Sequence, residues 1–246
     1  MTRCAVVTTL NERATIADLV QELRLMDWHV LVIDDASTDG TAEIARDAGA
    51  NVQVMETRVG IAPALLYGWR VVLAEYAPTY VLQIDAGGSH DPGDARRMVR
   101  ALNAGADMVI GSRFIQGAAY VGGTDRRRLM SQAAAFACNV VDAAHIHDWT
   151  SGYRLFTADA LRDLLQFKYW QKMHGWQISV LARAHQLGLR VVETPITYRA
   201  GRSSFNRKVA LEAFQTWMDI MHHYPPKARV YGETVRHVPA IGPADD

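Results

Sequence analysis

Short apolar runs rich in β-branched residues alternate with longer stretches of helical periodicity through the first half of the chain. Residues 4–8 (CAVVT), 30–33 (VLVI), 52–55, 80–84 (YVLQI) and 108–110 read as strands, with 30–33 buried. Between them, residues 14–26, 39–48, 61–75 and a segment opening near Pro92 carry the spacing of helices. Gly49 stops the second helix, and Pro92 sits where its missing N–H costs nothing. This alternation predicts an α/β fold with a mostly parallel central sheet and helices on both faces.

The second half is less regular. Residues 129–144 read as an apolar helix, 153–156 as a short strand, and 158–165 and 178–187 as helices. Val192, Thr194, Ile196 and Tyr198 alternate with their neighbours, so 190–198 reads as one strand. Residues 209–223 form a last helix, and the Pro-containing polar stretch 225–246 reads as an irregular tail. No linker, repeat or low-complexity segment divides the chain, so residues 1–224 are expected to form a single domain.

Composition narrows the function classes. Hydrophobic residues make up 49% and charged residues 21%, the balance of an ordinary globular protein. Lys+Arg and Asp+Glu are equal at 26 each, which gives no surplus of cations for sequence-independent nucleic-acid binding. Cys4 and Cys138 are far apart and fit no metal-ligand or redox spacing, so a reducing cytoplasm is the simplest home. Residues 1–9 lack a signal-peptide pattern, and no apolar run approaches the ~20 residues that span a bilayer. A soluble or peripheral protein is expected.

Three strands end in polar residues: Asn11-Glu12 just after the first, Asp34-Asp35 after the second, and Asp85 after the fourth. Open α/β sheets bind ligands beyond the carboxyl ends of their strands, so these groups are expected to share one crevice. Taken one at a time, each could equally cap the following helix, as Ser37, Thr38 or Asp39 is placed to do. The chain has no G-x-G-x-x-G after its first strand, no P-loop and no G-x-S-x-G. These absences argue against a dinucleotide oxidoreductase, a P-loop enzyme and an α/β-hydrolase.

Seven motifs then occur in order between residues 4 and 208. Val6-Val7-Thr8-Thr9-Leu10-Asn11-Glu12 resembles the opening of family 2 glycosyltransferases, and residues 32–41 (VIDDASTDGT) resemble their second signature. Residues 85–92 (DAGGSHDP), Gly111-Ser112-Arg113, 148–154 (DWTSGYR), 175–178 (GWQI), and 193–196 (ETPI) with 199–204 (RAGRSS) complete the set. Together they resemble the dolichol-phosphate mannose synthase branch and its bacterial polyprenol-phosphate relatives. The resemblance implies a GT-A (Rossmann-like) fold, with a nucleotide-sugar-binding half over about residues 1–112 and an acceptor-binding half over 113–224. It also implies inverting transfer of a sugar from a nucleotide-diphosphate sugar, GDP-mannose first and UDP-glucose second, to a polyprenyl phosphate. The lipid acceptor adds a membrane surface to the partners, and a peripheral position on the cytoplasmic face to the locations, that the resemblance allows.

Position by position, the resemblance places Thr8, Asn11, Glu12 and Asp35 on the base and ribose. Asp85, Ala86 and Gly87 fall beside the donor diphosphate, with Arg199 and Arg202 in the loop that covers it. Ser112, Arg113 and Ser151 match acceptor-phosphate positions, and Arg127 matches an arginine before an apolar helical run. Asp85, Arg113, Arg127 and Arg202 are the expected catalytic groups. The chain departs from the family at Gly87, where the D-x-D pattern has its second Asp. Asp85 and Ser89 remain for a Mg²⁺ or Mn²⁺ ion, which prefers anionic oxygen, so weakened metal use is expected. His90 and Asp91 are nearby candidates without family precedent.

A phosphate monoester is already ionised near pH 7, so this acceptor needs no general base. The site must instead hold two anions together, and guanidinium groups suit that task. Arg113, Arg126 to Arg128, Arg154, Arg199 and Arg202 are the available cations, with Arg154 set against a structural pairing with Asp148. Trp69, Trp170 and Trp176 read as core or groove wall. Two further readings stand beside this one: transfer to a soluble natural-product acceptor, and a non-catalytic nucleotide-sugar-binding homologue, motivated by Gly87.

Overall fold

The computed structural model describes residues 1–122, 124–142, 145–173, 175–201 and 207–223, and the backbone alone at 125–127, 141–142, 207, 209–210 and 221–223. Arg202, Ser203, Ser204, the tail 225–246 and the side chains of Arg126 and Arg127 therefore lie outside the described residues.

In chain order the first half is β1 (Arg3–Thr9), α1 (Ile16–Leu25), β2 (His29–Asp34), α2 (Thr41–Asp47), β3 (Asn51–Val54), α3 (Ile61–Glu75) and β4 (Tyr80–Asp85). A 3-10 turn (Pro92–Asp94), α4 (Ala95–Asn103), β5 (Met108–Ser112), β6 (Ala119–Val121) and α5 (Asp125–Asp142) follow. The chain continues through β7 (Arg154–Thr157), α6 (Ala158–Leu164), α7 (Trp176–Gln186), β8 (Val191–Pro195), β9 (Thr197–Arg199) and α8 (Arg207–His223).

The main sheet has seven strands in the order β3-β2-β1-β4-β7-β5-β8. Only β7 runs against its neighbours, so the mostly parallel sheet is realised with one reversed strand next to the central β4. The alternation of β1 explains why both faces are covered. Cys4 and Val6 enter a core with Leu65, Trp69, Phe156 and Trp176, while Ala5 and Val7 enter a second core with Val20, Leu23, Met98 and Leu102. Trp69 packs its ring 5.1 Å from both Phe156 and Trp176, so two of the three tryptophans singled out above are core. A Cβ at Gly68 would lie 2.6 Å from Val6, so this position of α3 must be glycine for the helix to seat on β1.

The predicted strand over 190–198 is corrected. It breaks into β8 and β9, which belong to different sheets. β8 is the edge strand, where the missing N–H of Pro195 interrupts no bond, and β5 ends at Ser112, so no partner strand remains beyond this point. The next donor, Ile196 N, still reaches Ser112 O at 3.2 Å, and Thr197 to Arg199 then pair in parallel with β6. β6 lies where the sequence predicts no strand.

The last helix is half committed to the body. Thr216 and Ile220 are buried and Trp217 Nε1 donates to Ala137 O at 3.1 Å, while Leu211 and Phe214 are exposed, as are Leu129 and Phe136 of α5. Among the described residues no helix is long and apolar enough to cross a membrane.

Candidate active site

β1, β2 and β4 end side by side. The register sets Thr8 opposite Ile33 on one side and Asp85 on the other, and Thr9 opposite Asp34. β2 and β3 lie on one flank of β1 and β4 on the other, so the winding reverses between β1 and β4. Doubly wound sheets open a crevice at such a point. β5 is antiparallel to β7, which is antiparallel to β4, so Arg113 at the end of β5 emerges at the same edge. The structure thus brings Asp35, Asp85 and Arg113 to one rim of one sheet.

The loops after β1 and β2 are tied together. Asn11 N donates to Ser37 Oγ at 2.8 Å, and Asn11 Oδ1 accepts from Thr38 N at 2.9 Å. Glu12 N donates to Thr41 Oγ1 at 3.0 Å and Arg13 N to Asp39 Oδ2 at 3.3 Å. Asn11 takes φ of 57°, a left-handed conformation that asparagine tolerates well. The Thr41 hydroxyl bond lowers the Asp39 carboxyl below its ordinary value. Gly40, rather than Ser37, Thr38 or Asp39, holds the cap position of α2, and Asp39 accepts from Thr41 N at 3.0 Å. Asp35 is buried and accepts from Val59 N at 2.7 Å and Gly60 N at 3.0 Å, which fixes its carboxylate at the crevice wall.

Asp85 is the most perturbed acid of the rim. Burial pushes its carboxyl up to about 6, the adjacent Thr8 hydroxyl works in the other direction, and the Glu12 charge adds to the rise. Thr8 Oγ1 and Asp85 Oδ1 are both buried and neither has a hydrogen-bond partner among the described residues, although the two side chains are neighbours across the register. A Cβ at Gly152 would stand 2.9 Å from Asp85 Oδ2, so Gly152 leaves the space that this carboxylate fills. Thr15 Oγ1 donates to Ala86 O at 2.6 Å, and a Cβ at Gly87 would meet Glu12 Oε1 at 3.4 Å.

Beyond Gly87 the chain joins β9. Arg199 N donates to Ser89 O at 2.8 Å, and Ser89 Oγ lies 3.3 Å from where a Cβ at Gly201 would stand. Arg199 is 3.9 Å from Asp91. A cleft of about 350 Å³ opens here, lined in part by Thr15, Asp18, Asp85, His90, Asp91 and Arg199. Among the described residues no three His, Cys, Asp or Glu side chains form a metal-binding group.

Arg113 occupies the other side of the rim and is held firmly. Nε and Nη2 reach the two oxygens of Asp148 at 2.7 and 2.6 Å, Nη2 also reaches Thr150 Oγ1 at 2.7 Å, and the backbone N adds a bond to Asp148 at 3.0 Å. The guanidinium sits 5.0 Å from the Phe114 ring and 5.1 Å from that of Tyr198. Burial alone would lower Arg113 and raise Asp148. Their mutual attraction outweighs it, leaving Arg113 raised and Asp148 lowered, so both stay charged. His90 lies between the tilted rings of Tyr153 and Tyr198, and burial draws it down to about 3, so it is neutral.

The expected Arg154–Asp148 pairing is corrected: Asp148 bonds Arg113, and Arg154 donates to the carbonyls of Ser151, Gln177 and Trp149 at 2.9, 2.9 and 3.0 Å. Ser112 and Ser151 are fully buried; Ser151 Oγ donates to Gly111 O at 2.6 Å and Ser112 Oγ accepts from Phe114 N at 3.4 Å. Both hydroxyls therefore brace the end of β5. Sequence reasoning passed over Tyr198, Gly152 and Glu193, whose carboxylate accepts from His147 N and Asp148 N at 2.9 Å each. Gly152 and Glu193 stand inside motifs that were read, but their partners are distant in the chain.

A GT-A glycosyltransferase fold with acidic groups along its switch-point rim defines the class of the protein. The family model "Glycosyl transferase family 2" matches residues 4–165, and the chain belongs to that family. Within it, the chain is 33% identical over 200 residues to undecaprenyl-phosphate mannosyltransferase of Micrococcus luteus, covering 78% of this chain and 82% of that one. It is 32% identical over 201 residues to polyprenol monophosphomannose synthase of Mycolicibacterium smegmatis, covering 78% and 76%. A solved structure of glucosyl-3-phosphoglycerate synthase from Mycobacterium tuberculosis, with Mn²⁺, UDP-glucose and phosphoglyceric acid, superposes with a TM-score of 0.70 at 21% identity, over 92% of this chain and 81% of that one. That likeness concerns the fold.

Proposed function

We propose that this glycosyltransferase moves mannose from GDP-mannose to a polyprenyl phosphate with inversion at the anomeric carbon. The observation that carries the reading is the match of 78% of the chain to each of two enzymes named for mannosyl transfer of this kind. Residues 1–112 would hold the donor and 113–224 the acceptor. A phosphate oxygen of the acceptor attacks the anomeric carbon, the bond from that carbon to the donor diphosphate breaks, and the nucleoside diphosphate leaves with the electron pair. The second pKa of a phosphate monoester is about 6, so the attacking oxygen is already anionic.

The chain's own residues then bind and orient. Asp35, fixed by two N–H groups, keeps acceptor capacity for ribose hydroxyls or a base edge, and Thr8 and Asn11 keep the base and ribose roles that the resemblance implies. Arg199 lies at the cleft beside Asp85, where it offsets diphosphate charge. Arg113 shares its charge with Asp148, but Nη1 makes none of the bonds described above and can serve the acceptor phosphate. Arg127 and Arg202 keep the roles that the resemblance implies.

The orphaned, buried Asp85 Oδ1 suits a divalent cation, with the Ser89 hydroxyl as the second group the family pattern offers. Mg²⁺ or Mn²⁺ there would neutralise the leaving diphosphate. Leu129, Phe136, Leu211 and Phe214, exposed on α5 and α8, support a peripheral seat on a membrane surface, and two buried free cysteines agree with a cytoplasmic face.

The test is product stereochemistry. Protein incubated with GDP-mannose and a short-chain polyprenyl phosphate is expected to yield a β-linked mannosyl phosphate by anomeric proton NMR. An α-linked product, or transfer only from UDP-glucose, would refute the inversion or the donor respectively.

A further inference from the structure

The carboxylate that the metal-binding pattern loses at Gly87 has a neighbour standing in its place. A Cβ at Gly87 would lie 3.4 Å from Glu12 Oε1, 3.8 Å from its Cδ and 4.0 Å from Oε2. A side chain leaving Gly87 would therefore run directly toward the Glu12 carboxylate. We propose that Glu12 supplies the second anionic ligand, so that a divalent cation beside the donor diphosphate is held by Asp85 and Glu12 across two loops, instead of by two residues of one. The proposal rests on the donor-site reading given above.

The backbone that carries Glu12 is anchored on both sides. Glu12 N is bonded to Thr41 Oγ1 at 3.0 Å, and Glu12 O accepts from Thr15 N and Ile16 N at 3.1 Å each, at the start of α1. Thr15 Oγ1 then donates to Ala86 O at 2.6 Å, which ties the turn carrying Glu12 to the residue between Asp85 and Gly87. On the other side, Asp85 Oδ1 is buried and has no hydrogen-bond partner among the described residues, so the cation would satisfy an oxygen the fold leaves unpaired. Mg²⁺ and Mn²⁺ favour anionic oxygen and commonly bind through one or two carboxylates plus phosphate oxygens. Asp85 alone meets the lower limit of that description; Asp85 with Glu12 meets the upper. The resemblance assigned Glu12 to the base and ribose, which is a different job with a different signature.

Mn²⁺ binding, followed by electron paramagnetic resonance with Mn²⁺ alone and with Mn²⁺ plus GDP, separates the two jobs. GDP binding in excess EDTA gives the metal-free baseline, and circular dichroism confirms folding of each variant. Glu12→Gln is expected to weaken Mn²⁺ binding by about tenfold or more, as is Asp85→Asn, while metal-free GDP affinity changes less than about twofold. The double variant Glu12→Gln/Gly87→Asp, which returns a carboxylate to position 87, is expected to regain Mn²⁺ affinity. Glu12→Asp, which keeps the charge and shortens the reach, covers the case in which the amide disturbs folding and should give an intermediate affinity. If Glu12→Gln leaves Mn²⁺ affinity unchanged but weakens GDP in EDTA, Glu12 is a ribose or base ligand and the inference fails. If the wild type binds GDP but shows no Mn²⁺ binding with GDP present, the inference fails and the donor site stands. If it binds neither GDP nor UDP, the donor-site reading itself fails.

Discussion

Arg113 and Asp148 face each other through two parallel hydrogen bonds of 2.7 and 2.6 Å, with side-chain exposures of 9% and 0%. Removing one member of such a pair strands the other charge away from water. Asp148→Asn is therefore expected to destabilise the protein by about 3–5 kcal/mol. Urea unfolding measures this. A loss well under 1 kcal/mol would mean that Arg113 recovers its solvation and the pair contributes little.

The pair also sets an acid limit. Burial alone would raise the Asp148 carboxyl, but the Arg113 guanidinium outweighs it and holds the folded-state value below the unfolded value of about 3.9. A depressed value gives stability that is complete above the unfolded pKa and is lost as pH falls through the folded one. The gap in stability between wild type and Asp148→Asn is thus expected to be constant from neutral pH down to about pH 5 and to shrink below about pH 4. A gap that stays the same to pH 3 would contradict the assignment.

Gly152 is where the rim can be disturbed with the least change of chemistry. A methyl group there would be 2.9 Å from Asp85 Oδ2, too close to tolerate without displacement. Overpacking of this sort costs about 1–3 kcal/mol. Because the atom displaced belongs to the proposed reaction centre, kcat for Gly152→Ala is expected to fall roughly 10²-fold. A variant destabilised by the expected amount but fully active would separate Asp85 from the chemistry.

Glu212 of α8 links the last helix to the crevice. Its carboxylate accepts from Lys172 N at 2.9 Å, Met173 N at 3.0 Å and Gly175 N at 3.0 Å. Lys172 O in turn closes on Gly60, where a Cβ would stand only 2.6 Å away, and Gly60 N holds Asp35. Glu212→Ala leaves these three donors unpaired by it and is expected to cost about 2–3 kcal/mol. GDP affinity should weaken about tenfold, or 1.4 kcal/mol, through the loosened Asp35. Unchanged GDP affinity by calorimetry would show that the two loops move independently.

Much of the rim was legible before any coordinates because it depends on order along the chain. Asp34-Asp35 and Asp85 follow apolar runs of strand length, and in a parallel sheet such positions meet at one edge whatever the loops do. Pairings between distant segments were not legible. Asp148 stands 35 residues from Arg113 and only six from Arg154, and charge alone cannot say which arginine it chooses; the register of β5 and β7 decides. The reversed direction of β7 leaves no mark in the four residues RLFT, since strand composition is the same either way. The split after Pro195 is set by where β5 ends, at Ser112, and the alternation through Val192, Thr194, Ile196 and Tyr198 runs across it unbroken. The approach of Glu12 to Gly87 joins residues 75 apart in the chain and needed the fold.

The most direct test compares two acceptors that differ by one group. GDP-mannose carrying a radiolabel is offered with a short polyprenyl phosphate or with the same polyprenol lacking its phosphate. Label is expected in the organic phase with the phosphate alone, because only that acceptor brings a nucleophile that needs no base. Equal transfer to the free alcohol, or label passing only to a water-soluble acceptor, would contradict the account.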